Sequence, residues 1–263
     1  MTPVRPCSRH VAAATVFVAR RCWRERGPLG SRGVCIAGVL AALLASSPAF
    51  GQVGVAASIF SDDRFRGYSL SDDRPVGILD LSYDAPDGLY GSISGSLLVS
   101  RNDGVQPLGL QLNAGYATRM KAGLTVDLGV TQSNYSHYSS RGPRKSYTEG
   151  YVGVAGKILS ARLSVSPDYL RSHVWTVYGE LNGRVPIDSK LRLTGHVGLI
   201  VPLRSYGDEQ VYHREFDWRV GIAQDIGRAT FSVAWTGVQH GRDIYQDPVR
   251  RHSALVFGMT YAL

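Results

Sequence analysis

The sequence predicts an all-β chain, an antiparallel transmembrane β-barrel of about twelve strands. Three observations predict it. Apolar and polar residues alternate at period two in run after run beyond residue 52, with no sustained 3.6-residue period. The connections between runs are by turns short and long, the layout of a membrane barrel with an even strand count. The polar phase of the runs is rich in Ser, Thr, Gly and Asn, with charges set singly along it.

Taken in order, the runs lie near 53–61, 75–84, 89–100, 107–118, 124–136, 147–158, 161–169, 174–185, 191–202, 212–225, 229–239 and 252–263. Leu255, Phe257, Met259, Tyr261 and Leu263 alternate with Ala254, Val256, Gly258, Thr260 and Ala262 in the last of them. In the fourth, Leu108, Leu110, Leu112, Ala114 and Tyr116 share the apolar phase. Tight connections are expected at Ala85 to Gly88, Arg119 to Gly123, Leu159-Ser160, Pro186 to Lys190 and Ile226 to Arg228. Longer polar ones are expected at Asp62 to Arg74, His137 to Ser146, Leu203 to Val211 and His240 to Arg251. Both termini then lie at the short-turn end. Ten or fourteen strands would also satisfy the rhythm.

Which face is wet follows from composition. The chain has four lysines, Lys121, Lys145, Lys157 and Lys190, whereas a strand face in bulk water carries charge freely. Aromatic residues gather near strand ends (Tyr83, Tyr116, Trp175, Trp218, Trp235, Tyr261), where membrane interfaces hold them. The last strand closing on the first would leave no unpaired edge, as hydrocarbon demands. The apolar phase is therefore expected to face lipid. A secreted β-sandwich or lipocalin-like cup is the same pattern turned inside out.

Residues 1–51 read as a signal peptide and 52–263 as the barrel. Seven arginines face one glutamate in that leader, so most of the formal charge of +8 sits there. Val34 to Ala45 is an apolar run too short to span a bilayer, followed by small residues with Ala49 and Gly51 suited to cleavage before Gln52. All three cysteines, Cys7, Cys22 and Cys35, lie in the leader too. The remainder thus has no disulfide framework, thiolate zinc site or catalytic cysteine. A balance of only +2 over the barrel argues against nucleic acid.

The stretch Ser61-Asp62-Asp63-Arg64-Phe65-Arg66-Gly67-Tyr68-Ser69-Leu70-Ser71 resembles the opening motif of the TorF family of proteobacterial porins. That family runs from its first strand into Ser-Asp-Tyr-x-Phe-Arg-Gly-x-Ser-x-Ser. Ser61, Asp62, Phe65, Arg66, Gly67, Ser69 and Ser71 match, and Asp63 stands where tyrosine is usual. Leu89-Tyr90-Gly91-Ser92 is similar to its second hairpin. The likeness covers about forty residues and implies an outer-membrane barrel of porin type, with no particular substrate. The chain ends on Leu263 rather than the phenylalanine or tryptophan usual for outer-membrane barrels.

The candidate site is the lumen. Asp80, Asp127, Glu149, Arg162, Glu180, Arg184, Arg192, His196, Asp217 and Arg219 are the expected lining, Glu149 less securely in phase because Tyr147 and Tyr151 flank it. Opposed arginines and carboxylates would either constrict a pore and bias its selectivity or plug a narrow barrel with ion pairs. Phe65-Arg66-Gly67 either returns into the barrel mouth, with Arg66 pairing a carboxylate such as Asp80, or is a turn in which Gly67 supplies a permissive angle and Phe65 packs the loop. Ser61-Asp62-Asp63-Arg64 recurs as Ser71-Asp72-Asp73-Arg74. Four carboxylates could collect calcium, but the neighbouring arginines favour a solvated loop.

The function expected is passive diffusion of small hydrophilic solutes or ions through a narrow lumen, with no cofactor, metal or catalytic residue. Its partners would be outer-membrane lipid, the barrel-assembly machinery and the solutes. The alternatives are a closed structural or adhesive barrel and an outer-membrane lipid hydrolase. For the hydrolase, Ser136–His137, Ser172–His173 and Ser253–His252 are adjacent pairs whose side chains would point to opposite faces.

Overall fold

A computed structural model describes residues 51–100, 104–136, 146–169, 174–204, 214–239 and 253–263. Residues 1–50 of the leader expected over 1–51 and most of the longer connections lie outside them. So do His137, Ser172, His173 and His252.

Twelve strands close into one antiparallel barrel. They are β1 (Gln52–Phe60), β4 (Val76–Asp84), β5 (Leu89–Ser100), β6 (Gly104–Arg119), β7 (Thr125–Tyr135) and β8 (Ser146–Ala155), then β9 (Leu159–Ser166), β10 (Trp175–Pro186), β11 (Leu191–Arg204), β12 (Glu215–Ile226), β13 (Ala229–Gln239) and β14 (Ser253–Ala262). A separate two-stranded hairpin, β2 (Arg64–Phe65) and β3 (Tyr68–Ser69), sits within the first loop. Each barrel strand pairs with the next in sequence, and β1 pairs with both β4 and β14. The seam runs from Ala56 opposite Ala262 to Phe60 opposite Gly258. Ser61 prolongs it by donating its N–H to the Phe257 carbonyl at 2.9 Å. With the ring closed no sheet edge is left, which is what lets strands cross hydrocarbon.

The alternation has its expected sense. On β5, Leu89, Ile93, Leu97 and Val99 are exposed on the outside, while Tyr90, Ser92, Ser94 and Ser96 face in. On β8, Tyr147, Glu149 and Tyr151 are buried inside and Val152 and Val154 exposed outside. Tyr83, Tyr116 and Tyr261 face outward at the turn end, and Trp175 and Trp235 toward the loop end. Trp218 meets Trp235 edge-on, with centroids 4.7 Å apart. An amphipathic ring at the headgroup level satisfies both its polar tip and its apolar body.

Turn chemistry sets the short connections. Gly88 has φ +99° and a Cβ there would lie 2.4 Å from the Ala117 carbonyl oxygen, so the turn Ala85 to Gly88 needs glycine. Asp188 Oδ1 accepts the backbone N–H of Lys190 and Leu191 at 2.6 and 2.8 Å, and these bonds hold its carboxyl below the usual range.

Three boundaries differ from expectation, each for a local reason. The turn after β8 is Gly156-Lys157-Ile158, closed by the Gly156 N–H on the Leu159 carbonyl, and Leu159-Ser160 already belong to β9. Tyr169, placed by its spacing in that strand, instead lies beyond it and is fully buried. β6 begins at Gly104 and carries a bulge at the Ser96/Leu97 step, where the partners jump from Gly109 to Pro107. Proline has no N–H for the ladder and is tolerated at such irregularities. The extra residue turns Leu108 out of the lipid-facing phase it shares by count with Leu110 and buries it inside.

The largest departure concerns the loop-end half of the lumen, which is not uniformly polar. Leu70, Val76, Leu98 and Leu108 form one apolar cluster there, and Tyr147, Tyr169, Tyr178 and Ile200 another, with Phe65 and Tyr135 packed against both. The cause is the first loop.

Candidate functional site: a hairpin in the lumen and the charged wall below it

Residues 61–75 do not form a solvated loop. They fold inward, and Asp62 organises them. Its Oδ1 accepts the hydroxyls of Ser71 (2.8 Å) and Ser69, and its Oδ2 accepts Arg64 Nε at 2.6 Å. Arg64 also donates to the Gly67 carbonyl at 3.0 Å and to Asp73 Oδ1 at 3.2 Å. Ser71, fully buried, accepts the Asp63 N–H. The spacing of the motif thus has a physical purpose: Asp62, Ser69 and Ser71 tie the two arms of the hairpin together. Arg64 and Arg74 pair with three of the four clustered carboxylates: Asp62, Asp73 and Asp72. Among the described residues no group of three or more His, Cys, Asp or Glu is arranged to hold a metal.

At the tip, Arg66 has φ +50° and Gly67 φ +82°. A Cβ on Gly67 would lie 2.8 Å from both the Gly237 carbonyl oxygen and Val238 Cβ, so the tip is pressed against β12–β13. Tyr68 donates its hydroxyl to Glu215 Oε2 at 2.6 Å. Burial and that carboxylate push the Tyr68 phenol above its usual range, so it remains a donor.

Arg66 crosses to β8. Its partner is Glu149, at 2.8 and 2.9 Å from one guanidinium nitrogen, and not Asp80 on β4. The difference is geometric: the hairpin leans across the lumen toward β8–β12. The guanidinium carbon lies 3.9 Å from the Tyr178 ring centroid, 4.4 Å from that of Tyr169 and 4.8 Å from that of Phe65.

Asp63 gives the hairpin a pH dependence. Burial, reinforced by neighbouring Asp62, pushes its carboxyl up to about 6. A raised acid favours the packed state when protonated, so this contribution is complete below about 3.8, the ordinary value, and is lost as pH rises through about 6. Hydrogen exchange over residues 64–70, corrected for intrinsic rates, should show stronger protection at pH 5 than at pH 7.5. Asp63→Asn should erase the difference, and a difference that survives would assign the effect to another group.

Below the hairpin, toward the turn end, the wall becomes polar. Tyr178 donates to Asp217 Oδ2 at 3.0 Å. His196 Nε2 lies 2.8 Å from Asp217 Oδ1, and Nδ1 lies 2.7 Å from Asn182 Oδ1. Asn182 gives its amide N–H to Glu180 at 3.3 Å and turns its Oδ1 toward the His196 ring. Further round, Arg162 pairs with Asp127 at 3.1 Å and stacks over Tyr151, whose hydroxyl donates to Asn113 Oδ1 at 2.8 Å and meets the hydroxyl of Tyr90. Arg192 pairs with Asp225, which also accepts from Thr230.

All ten expected lining residues project from strands in the inward phase, including Glu149, whose tyrosine neighbours also face in. The structure brings them into separate groups rather than one ring. Glu149 belongs to the hairpin, Asp127 and Arg162 form one pair, and Glu180, His196 and Asp217 form one network. Asp80 accepts from Ser94 across the β4–β5 ladder and, like Arg219, makes no ion pair among the described residues. Arg162, Arg184, Arg192 and Arg219 come from four consecutive strands, β9 to β12, while Asp80 is on β4. Sequence reasoning missed Asp225, Glu215, Tyr68 and the inward tyrosines Tyr90, Tyr151 and Tyr178. Glu215 and Asp225 share the phase of Asp217 and were within reach of it. The tyrosines were not, because an aromatic in a strand reads as lipid-facing.

A family described as a bacterial protein of unknown function (Gcw_chp) matches residues 44–258. Among solved structures, the NanC porin is similar, with a TM-score of 0.54 at 12% identity, over 81% of this chain and 100% of that one. The KdgM porin in complex with disordered oligogalacturonate has a TM-score of 0.47 at 10% identity, over 81% and 99%. A likeness of the first kind shows a shared barrel fold and no more. A search of the curated proteins finds no match.

Proposed function

The chain belongs to the Gcw_chp family of bacterial proteins of unknown function, and from that premise we propose that it is a narrow outer-membrane channel. Small hydrophilic solutes or ions would diffuse through its lumen, without chemistry. One observation carries the reading: a closed twelve-strand barrel wears its apolar residues outside and lines the turn-end half of its interior with arginines, carboxylates, hydroxyls and amides. Members of that wall without a partner among the described residues, Arg219 among them, are satisfied by water or a polar solute. The fold shared with the NanC porin and the TorF-like motif of residues 61–71 agree with it. The outer membrane is the location that fits, with the 1–51 leader for export and the barrel-assembly machinery for insertion.

A second reading, a closed barrel, is favoured by the hairpin that occupies the loop-end half. Planar-bilayer recording separates the two. A channel gives small discrete conductance steps from the wild-type protein; a closed barrel gives none until the hairpin is shortened.

Selectivity should follow the arginine wall. Arg184→Ser with Arg219→Ser is expected to move the reversal potential in a salt gradient toward cation preference, changing the permeability ratio about two- to fivefold, a shift of order 1 kcal/mol or less for partly hydrated charges. An unchanged reversal potential would mean that the constriction lies elsewhere.

A further inference from the structure

We propose that Glu149, Tyr169 and Tyr178 form a receptor for an organic cation of the guanidinium or ammonium class, and that Arg66 occupies it as a built-in occupant. The chemistry is that of cation recognition. Three groups from the barrel side, one on β8, one after β9 and one on β10, converge on a single guanidinium. The carboxylate supplies charge and the two ring faces supply quadrupoles, at 4.4 and 3.9 Å from the guanidinium carbon. All three residues are buried, as a desolvated cation site requires.

The occupant, by contrast, comes from a hairpin and fits imperfectly. Arg66 holds a left-handed backbone angle unusual for a side chain with a Cβ. Its Nε and Nη1 are buried without a hydrogen-bond partner among the described residues. Only one guanidinium nitrogen reaches Glu149, where a free guanidinium could turn to offer two. Unsatisfied donors at a site that otherwise selects for a cation point to a ligand that can orient itself better than a tethered side chain. The inference rests on the channel reading in that solutes must be able to reach the lumen.

Methylguanidinium is the probe, and the test uses the full barrel in detergent. Arg66→Ala removes the occupant and leaves Phe65 and the wall in place. Isothermal titration should show methylguanidinium binding to Arg66→Ala at least tenfold tighter than to wild type. Adding Glu149→Gln or Tyr178→Leu to Arg66→Ala should weaken it at least tenfold, while Ser94→Ala, remote from the cage, should leave it unchanged. Arg66→Met repeats the test with the hairpin packing better preserved. A heat-modifiable, folded barrel of either Arg66 variant that takes up no methylguanidinium overturns the proposal, as does binding indifferent to Glu149. Because binding is read without current, a barrel that binds the probe but never conducts would refute the channel and leave the receptor standing.

Discussion

Replacing Asp62 with alanine is expected to raise the single-channel conductance of the barrel severalfold. Asp62 is buried and receives Arg64, Ser69 and Ser71. Taking away one partner of a buried ion pair costs about 3–5 kcal/mol, because the remaining charge is left uncompensated. Arg64 keeps Asp73 and the Gly67 carbonyl, so the lower end of that range applies. The loss falls on the hairpin alone, since the strand ladder does not run through it. The barrel should therefore keep its heat-modifiable mobility on gels while amides of residues 64–70 exchange faster. If those amides exchange faster and the conductance stays at the wild-type value, the hairpin is not what restricts the lumen.

Two neighbouring substitutions on β5 should differ sharply in their effect on folding. Ile93 is exposed on the outer face near mid-strand, and Ser94 faces in beside Asp80. Ile93→Lys puts an ammonium into hydrocarbon, a loss of about 2–4 kcal/mol at the bilayer midplane. Ser94→Lys puts the same charge next to a carboxylate that has no ion pair among the described residues, and should cost little or even stabilise. Unfolding from liposomes by denaturant reads both. Equal destabilisation by the two lysines would contradict the assignment of faces.

Much of the fold was legible along the chain because a strand writes its environment at period two. Leu255, Phe257, Met259 and Tyr261 on the outside, and Asp217 and Arg219 on the inside, follow from counting alone. The alternation of short and long connections then orders the strands, since antiparallel neighbours need only a few residues between them. Counting fails where the backbone departs from regular pairing. The bulge near Pro107 reverses the face of Leu108, and the turn at Gly156 moves a boundary that the apolar Ile158 conceals. Nor does counting tell an aromatic that faces lipid from one that packs the lumen: Tyr116 and Tyr178 look alike in their local alternation and lie on opposite faces.

The sequence by itself determined the closed antiparallel barrel, its apolar exterior and the inward phase of its charges, because each depends on residues a few positions apart. Only the tertiary structure decided that residues 61–75 enter the barrel, that Arg66 meets Glu149 eighty-three residues away, and that Tyr178, His196 and Asp217 form one network. Those contacts cross the lumen, so they depend on strand stagger, on barrel diameter and on how far each side chain reaches. None of these leaves a period in the chain.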